Sequence, residues 1–219
     1  TEVRGMHACK HAIDRVRQCD IILLAVKPAQ MSEAISTVKE HLQGKAVVSI
    51  AAGMFFETYE QLLPPHTQHL SVIPNMPVSV CEGVMLWEQR NSLQTEEAVA
   101  VEQLFSAIAF IEKLESDQMT IGATVAGCGP AFAAMFIEAL GDGAVAYGLG
   151  REAAYRLCAQ MMAGTAKQLL VHPQHPGQLK DRVSSPKGTT IQGVAELERL
   201  GFRNALISAI ERIEQFRLK

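Results

Sequence analysis

The sequence predicts an open α/β domain followed by an all-helical domain, and three observations carry that reading. Short runs rich in Val and Ile alternate with amphipathic stretches between Asp20 and Glu115. From Gly129 onward nearly every segment has helical spacing. Within that second part, the stretch 131–147 is apolar almost all round. The expected division is 1–117 for the α/β domain and 118–219 for the helical one.

The elements follow in order. Residues 21–26, Ile-Ile-Leu-Leu-Ala-Val, form an unbroken apolar run, the pattern of a strand buried on both faces of a parallel sheet. Lys27 and Pro28 end it. Met31, Ala34, Ile35, Val38 and Leu42 recur at helical spacing and Gly44 closes that helix, after which 46–51, Ala-Val-Val-Ser-Ile-Ala, reads as a second buried strand. A short helix at 55–63 stops at Pro64 and Pro65, and a third strand at 70–73 stops at Pro74. Strands at 83–88 and 109–114 flank a helix at 95–107. The second part is expected to open on a glycine-dense turn, Ala126-Gly127-Cys128-Gly129-Pro130, with Pro130 as the first residue of the apolar helix. Helices at 152–171, 178–183, 190–200 and 203–217 complete the chain. A domain of this size cannot bury an all-apolar helix alone, so a second copy of the chain is the expected cover.

Composition narrows the function classes. The chain has 219 residues, 48% of them hydrophobic and 20% charged, with a net charge of −3. No basic excess suits it to nucleic acid. Glu138, Asp142 and Lys167 interrupt the long apolar stretches, so no membrane span of ~18 uncharged residues is expected. Five scattered cysteines with no Cys-x-x-Cys spacing read as reduced thiols, which points to the cytoplasm. His172 and His175 are interleaved with Pro173 and Pro176 and read as loop residues, so no metal is expected.

Two segments are suited to chemistry. In an open α/β sheet, ligands collect beyond the carboxyl ends of the strands. The first three strand exits are Ala25-Val26-Lys27-Pro28, Ala51-Ala52-Gly53 and Pro74-Asn75-Met76-Pro77. Small residues at 51–53 let a flat ring approach the backbone. The second segment is Ser184-Ser185-Pro186-Lys187-Gly188-Thr189-Thr190, whose hydroxyls and free N–H groups precede a helix and suit a small anion such as a carboxylate. Plain capping by Thr189 or Thr190 accounts for the same residues. No Gly-x-Ser-x-Gly, His-Glu-x-x-His or Gly-x-Gly-x-x-Gly motif occurs.

In their order, these segments resemble the pyrroline-5-carboxylate reductase family. The resemblance rests on Ala25-Val26-Lys27-Pro28, Ala51-Ala52-Gly53, Pro74-Asn75-Met76-Pro77, Glu82-Gly83, and Gly127-Cys128-Gly129-Pro130-Ala131-Phe132. It continues through Phe136-Ile137-Glu138-Ala139-Leu140, the run from His175 to Asp181, Ser184 to Ile191, and Leu197 to Arg203. It implies a Rossmann-like cofactor domain followed by a helical dimerisation domain, and reduction of 1-pyrroline-5-carboxylate to L-proline by hydride from NADP or NAD in reduced form. By the resemblance, Ala25, Val26, Lys27, Pro28, Ala51, Ala52, Gly53, Asn75 and Pro77 hold the cofactor. Ser184, Ser185, Gly188, Thr189 and Thr190 hold the substrate carboxylate. The family forms interlocked homodimers, often assembled into a decamer.

The chain departs from the family pattern in several places. Cys128 stands for a serine, Lys187 for a glycine, some members carry an acidic residue near Pro173 whose contact cannot be carried over, and Thr124 is displaced by one position. The family's first strand, glycine fingerprint, helix and second strand precede the position of Thr1. The resemblance therefore implies an N-terminally truncated cofactor domain, weak dinucleotide binding and an open sheet edge. Two other readings stand beside the reductase: a non-catalytic dimerisation or proline-binding module, and a different imine or 2-hydroxy acid reductase of similar architecture.

Overall fold

The computed structural model describes residues 8–217 and divides into two compact units, 1–127 and 128–219. The position of Thr1, on which the expected truncation turns, lies outside the described residues.

In the first unit, α1 (Ala12–Val16) leads into β1 (Ile21–Leu24), α2 (Met31–Val38), β2 (Ala46–Ser49), α3 (Phe56–Leu62) and β3 (Gln68–Pro74). Then come β4 (Gly83–Glu88), α4 (Thr95–Ser106), β5 (Ala109–Leu114) and α5 (Met119–Ala123). The five strands lie side by side in chain order. β1, β2 and β3 are parallel, β4 runs antiparallel to β3, and β5 is parallel to β4. The reversal at β4 departs from a uniform βαβ series. The connection over 75–82 carries only a 3₁₀ turn, Met76–Val80, and a parallel crossover needs about a dozen residues or more.

Both faces of the sheet are covered, as the unbroken apolar strands require. Val47 joins Ile22, Leu24, Met31, Ile35, Val38, Tyr59 and Leu63 on one face. Its neighbour Val48 points the other way, to Leu70, Val72, Met85, Trp87, Val101 and Phe105. β2 is buried at every position. Among the described residues β1 pairs on one side only, with β2, and Leu23 is half exposed.

The expected glycine-dense turn at 126–130 is instead helical. α5 runs through a π-helical segment, Thr124–Cys128, into α6 (Gly129–Ala146). Pro130 offers no N–H to Ala126 and its ring crowds that carbonyl, so the chain widens by one residue per turn at this point. The continuous helix Met119–Ala146, 28 residues, is long and apolar enough to cross a membrane by length and composition. This corrects the expectation that charges interrupt every such stretch, since none lies between Met119 and Ile137.

The second unit continues with α7 (Arg151–Val171), α8 (Pro176–Arg182), α9 (Thr189–Arg199) and α10 (Phe202–Arg217). α6 packs on α7, where Gly141 lets the Tyr155 ring approach: a Cβ there would lie 2.5 Å from it. Phe136 and Phe202 have ring centroids 6.2 Å apart. Otherwise the unit buries little, and Met135, Leu140, Tyr147, Leu157, Met161 and Leu170 are exposed.

Candidate functional site

Because β1, β2 and β3 are adjacent and parallel, their three exits leave the same end of the sheet. Ala25 is exposed and Val26 packs on the core beneath α2 and α3. Lys27 is the exposed residue before a 3₁₀ turn, Pro28–Gln30, with Pro28 at its first position. Ala51 is buried, while Ala52 and Gly53 are exposed. Gly53 adopts φ +77°, and a Cβ there would meet nothing within 4 Å, so backbone conformation demands the glycine while the space above stays open. Pro77 lies in the 3₁₀ turn that Asn75 precedes.

Asn75 is also a fastener. Its Oδ1 accepts the Val84 N–H at 2.8 Å, and its backbone N–H donates to the Val84 carbonyl at 3.1 Å. Its Nδ2 donates to the Ala126 carbonyl at 3.0 Å. That carbonyl is the one an α-helix would satisfy with the N–H that Pro130 lacks. A carboxamide can make these bonds together, since it carries both acceptor and donors.

Beneath the Ala51–Gly53 turn lies a set of buried polar groups that the sequence reading missed. Ser49 Oγ accepts the Ala51 N–H at 3.2 Å and the Tyr59 hydroxyl at 2.5 Å. Burial pushes the Tyr59 phenol above its ordinary value of 10.0; the Ser49 bond opposes this and the nearby Glu88 charge adds to it. Glu88 is fully buried at the end of β4. Its carboxylate accepts the Phe56 N–H at 3.0 and 3.2 Å and the Ser116 hydroxyl at 2.6 Å. The signal for Glu88 was present as an acidic residue closing an apolar strand run, but its partners were not legible.

The segment Ser184–Thr190 belongs to the second unit. Ser184 Oγ donates to the Lys180 carbonyl at 2.8 Å and so closes the end of α8, leaving the oxygen's lone pairs available. Gly188 N–H donates to the Ser185 carbonyl at 3.0 Å, which makes 185–188 a tight turn. Pro186 sits at its second position, and Lys187 at its third has φ +60°, where a type II turn favours glycine. A Cβ on Gly188 would lie 2.3 Å from Ser185 Oγ, so a larger residue there would force the Ser185 hydroxyl to move. α9 starts at Thr189, one residue earlier than expected, and its N-cap is Gly188 with no side-chain cap. Neither Thr189 nor Thr190 caps it, and the first N–H groups of an 11-residue helix lack an internal partner.

His175 Nδ1 accepts the Gly177 N–H at 3.1 Å and caps α8. Thr124 is fully buried, with its hydroxyl 3.4 Å from the Thr120 carbonyl. Among the described residues no group of three or more His, Cys, Asp or Glu side chains is placed to hold a metal ion.

Residues 3–53 match a family model described as NADP oxidoreductase coenzyme F420-dependent, and residues 116–217 match one described as pyrroline-5-carboxylate reductase dimerisation. The fold and these matches define the class: an oxidoreductase with a Rossmann-like sheet domain and a helical dimerisation domain. The chain is 44% identical to pyrroline-5-carboxylate reductase of Treponema pallidum over 94% of its own length and 80% of that protein. It is 39% identical to that of Methanosarcina acetivorans, over 91% of this chain and 74% of the relative. A Plasmodium falciparum pyrroline carboxylate reductase solved with NADP bound superposes with a TM-score of 0.85 at 29% identity, covering 97% of this chain and 81% of that one. A Coxiella burnetii pyrroline-5-carboxylate reductase gives 0.87 at 28% identity, over 95% and 78%. The chain belongs to the pyrroline-5-carboxylate reductase family.

Proposed function

We propose that this chain reduces 1-pyrroline-5-carboxylate to L-proline with NADP or NAD as cofactor, the last step of proline biosynthesis. The observation that carries the proposal is the arrangement of three strand exits at one end of adjacent parallel strands, in a chain 44% identical to a reductase of that name. The residues present fit the ring end of a dinucleotide, because open space stands over Gly53 and Ala51 and Ala52 are small. Ala25, Val26, Lys27, Pro28, Ala51, Ala52, Gly53, Asn75 and Pro77 are assigned to hold it. When bound, the reduced nicotinamide supplies hydride to the imine carbon.

Ser184, Ser185, Gly188, Thr189 and Thr190 are assigned to the substrate. The hydroxyls and the uncapped N–H groups at the start of α9 suit its carboxylate. A protonated cyclic imine is already electrophilic, so holding it in place supplies much of the rate. The dimerisation match and the exposed apolar side chains of α6 and α7 support a homodimer. Extended further, the reading has α6 covered by a second copy rather than by lipid, no nucleic-acid partner, a cytoplasmic enzyme, dimers gathered into a decamer, and a cofactor domain over 1–117 joined to a helical domain over 118–219.

The test is consumption of NADPH or NADH by the full-length protein given pyrroline-5-carboxylate, with proline measured as product. Equal amounts of oxidised cofactor and proline are expected. Proline binding by calorimetry, with neither cofactor binding nor turnover, overturns the proposal in favour of a non-catalytic module.

A further inference from the structure

The segment 51–55 joins β2 to α3 and carries the turn assigned above to the nicotinamide ring. Both its ends are tied to buried polar groups of the sheet. At the first end, the Ala51 N–H donates to Ser49 Oγ, which the Tyr59 hydroxyl also meets. At the other end, the Phe56 N–H opens α3 and donates to both oxygens of Glu88. Ser49 pairs with Ser71 across β2 and β3, Val72 pairs with Trp87 across β3 and β4, and Glu88 follows Trp87. Pairing thus sets Ser49, Ser71 and Glu88 on one face in a row, over which α3 lies. All three are buried.

A carboxylate with no exposure is costly to keep unless hydrogen bonds satisfy it. Two donors, the Phe56 N–H and the Ser116 hydroxyl, meet this one. A neutral apolar residue in its place would leave the Phe56 N–H, one of the donors a helix start cannot satisfy internally, without that acceptor. Packing alone does not call for an acid here. What an acid adds is a fixed acceptor on β4 for the residue at which the turn ends.

We propose that Glu88 is a positioning residue for the cofactor turn: it pins Phe56 to β4 and so sets the path of Ala51–Phe55 without touching cofactor or substrate. The proposal rests on the assignment of Ala51–Gly53 to the cofactor. The Ser116 hydroxyl donates to the same carboxylate and helps to orient it, and the pair Ser49–Tyr59 holds the turn's other end. Arg90 stacks over the Phe56 ring at 4.3 Å and pairs with Glu57, which keeps the first turn of α3 in the same place from outside.

The test uses the full-length protein, with KM measured separately for cofactor and for pyrroline-5-carboxylate, and amide hydrogen exchange followed at Ala51 and Phe56. Glu88→Ala is expected to raise the cofactor KM about tenfold, the size expected for losing hydrogen bonds to a charged group. The substrate KM should stay within about twofold, and Phe56 protection should fall in the same variant. Glu88→Gln keeps an acceptor and should restore the cofactor KM to within about threefold of the parent. Ser116→Ala, milder and safe for folding, should raise it about two- to threefold. Ala52→Tyr separates the two readings. An unchanged cofactor KM in Ala52→Tyr overturns the assignment of the turn to the cofactor, and this proposal with it. A raised KM in Ala52→Tyr beside an unchanged one in Glu88→Ala overturns the role of Glu88 alone. So does an equal rise in both KM values in Glu88→Ala, which marks a general loss of structure.

Discussion

The two units solve the burial problem differently. The sheet unit covers both faces of its strands with its own helices. Among the described residues, every buried hydrophobic side chain except Ala154, Cys158 and Leu179 lies before Cys128. The helical unit has as many helices as it needs for a core and does not make one. Its longest apolar helix, α6, keeps Met135 67% exposed, and α7 keeps Leu157 60% exposed. A monomer rarely shows so much contiguous apolar surface to water. The sheet unit is therefore held together within one chain, whereas the proposed homodimer would cover the helical unit with a second copy. Each of the following experiments perturbs one side of that contrast.

The largest effect is expected from Met135→Glu. Met135 lines a shallow groove with Ala134, Ile137, Glu138, Tyr155 and Ala159. A carboxylate placed there must be desolvated when the second copy covers it, next to Glu138, which already bears the same charge. The dimer dissociation constant should rise by at least ~100-fold, on the order of 3 kcal/mol, as read by sedimentation velocity. The far-ultraviolet signal of the sheet unit should persist while helical signal is lost on dilution. A variant that stays dimeric removes the contrast, because α6 would then not be part of the contact.

Asn75→Leu tests the opposite side. The variant has similar volume, but it leaves the Val84 N–H and the Ala126 carbonyl without their side-chain partners. Stranded polar groups cost ~1–3 kcal/mol each when buried, and partial exposure of Asn75 puts the expected loss near ~2 kcal/mol. The loss should be independent of protein concentration, since both bonds lie within the sheet unit. Denaturant titration at two concentrations reads this directly. A rise in cofactor KM with stability unchanged would instead make Asn75 a ligand contact and not a fastener.

The same two positions show what the sequence could reveal. The strands at 83–88 and 109–114 were legible to the residue, because β-branched and aromatic residues between turn signals mark a strand, whether it is buried at nearly every position, as 83–88 is, or only at Ala109, as 109–114 is. The strand exits were legible too, since Pro28, Gly53 and Pro74 punctuate them. The helical state of 126–130 was not. Local glycine density argued for a turn, and what keeps the segment helical is a π-turn around Pro130 together with a carboxamide from residue 75. Direction was half legible: alternation says nothing about which way β4 runs, but a connection as short as 75–82 already excluded a parallel crossover. The row Ser49, Ser71 and Glu88 was hidden for the plainest reason. Three residues scattered along the chain become neighbours only once the strand register is set.

The smallest effect is expected at Lys187, where the two units again differ. The sheet unit places glycine at the left-handed position of its site turn, Gly53 at φ +77°, whereas the helical unit places a lysine at φ +60°. A side chain there costs ~1 kcal/mol in backbone strain, yet glycine would lose ~0.5–1 kcal/mol more chain entropy on folding. Lys187→Gly should therefore change stability by no more than about 0.5 kcal/mol, in either direction. If the exposed ammonium draws the substrate carboxylate to α9, its removal should raise the pyrroline-5-carboxylate KM about two- to threefold at low salt, and the difference should vanish as salt screens the charge. Lys187→Arg should keep the parent KM. A KM for Lys187→Gly that matches the parent at every ionic strength would leave the lysine as a strained turn residue with no part in substrate capture.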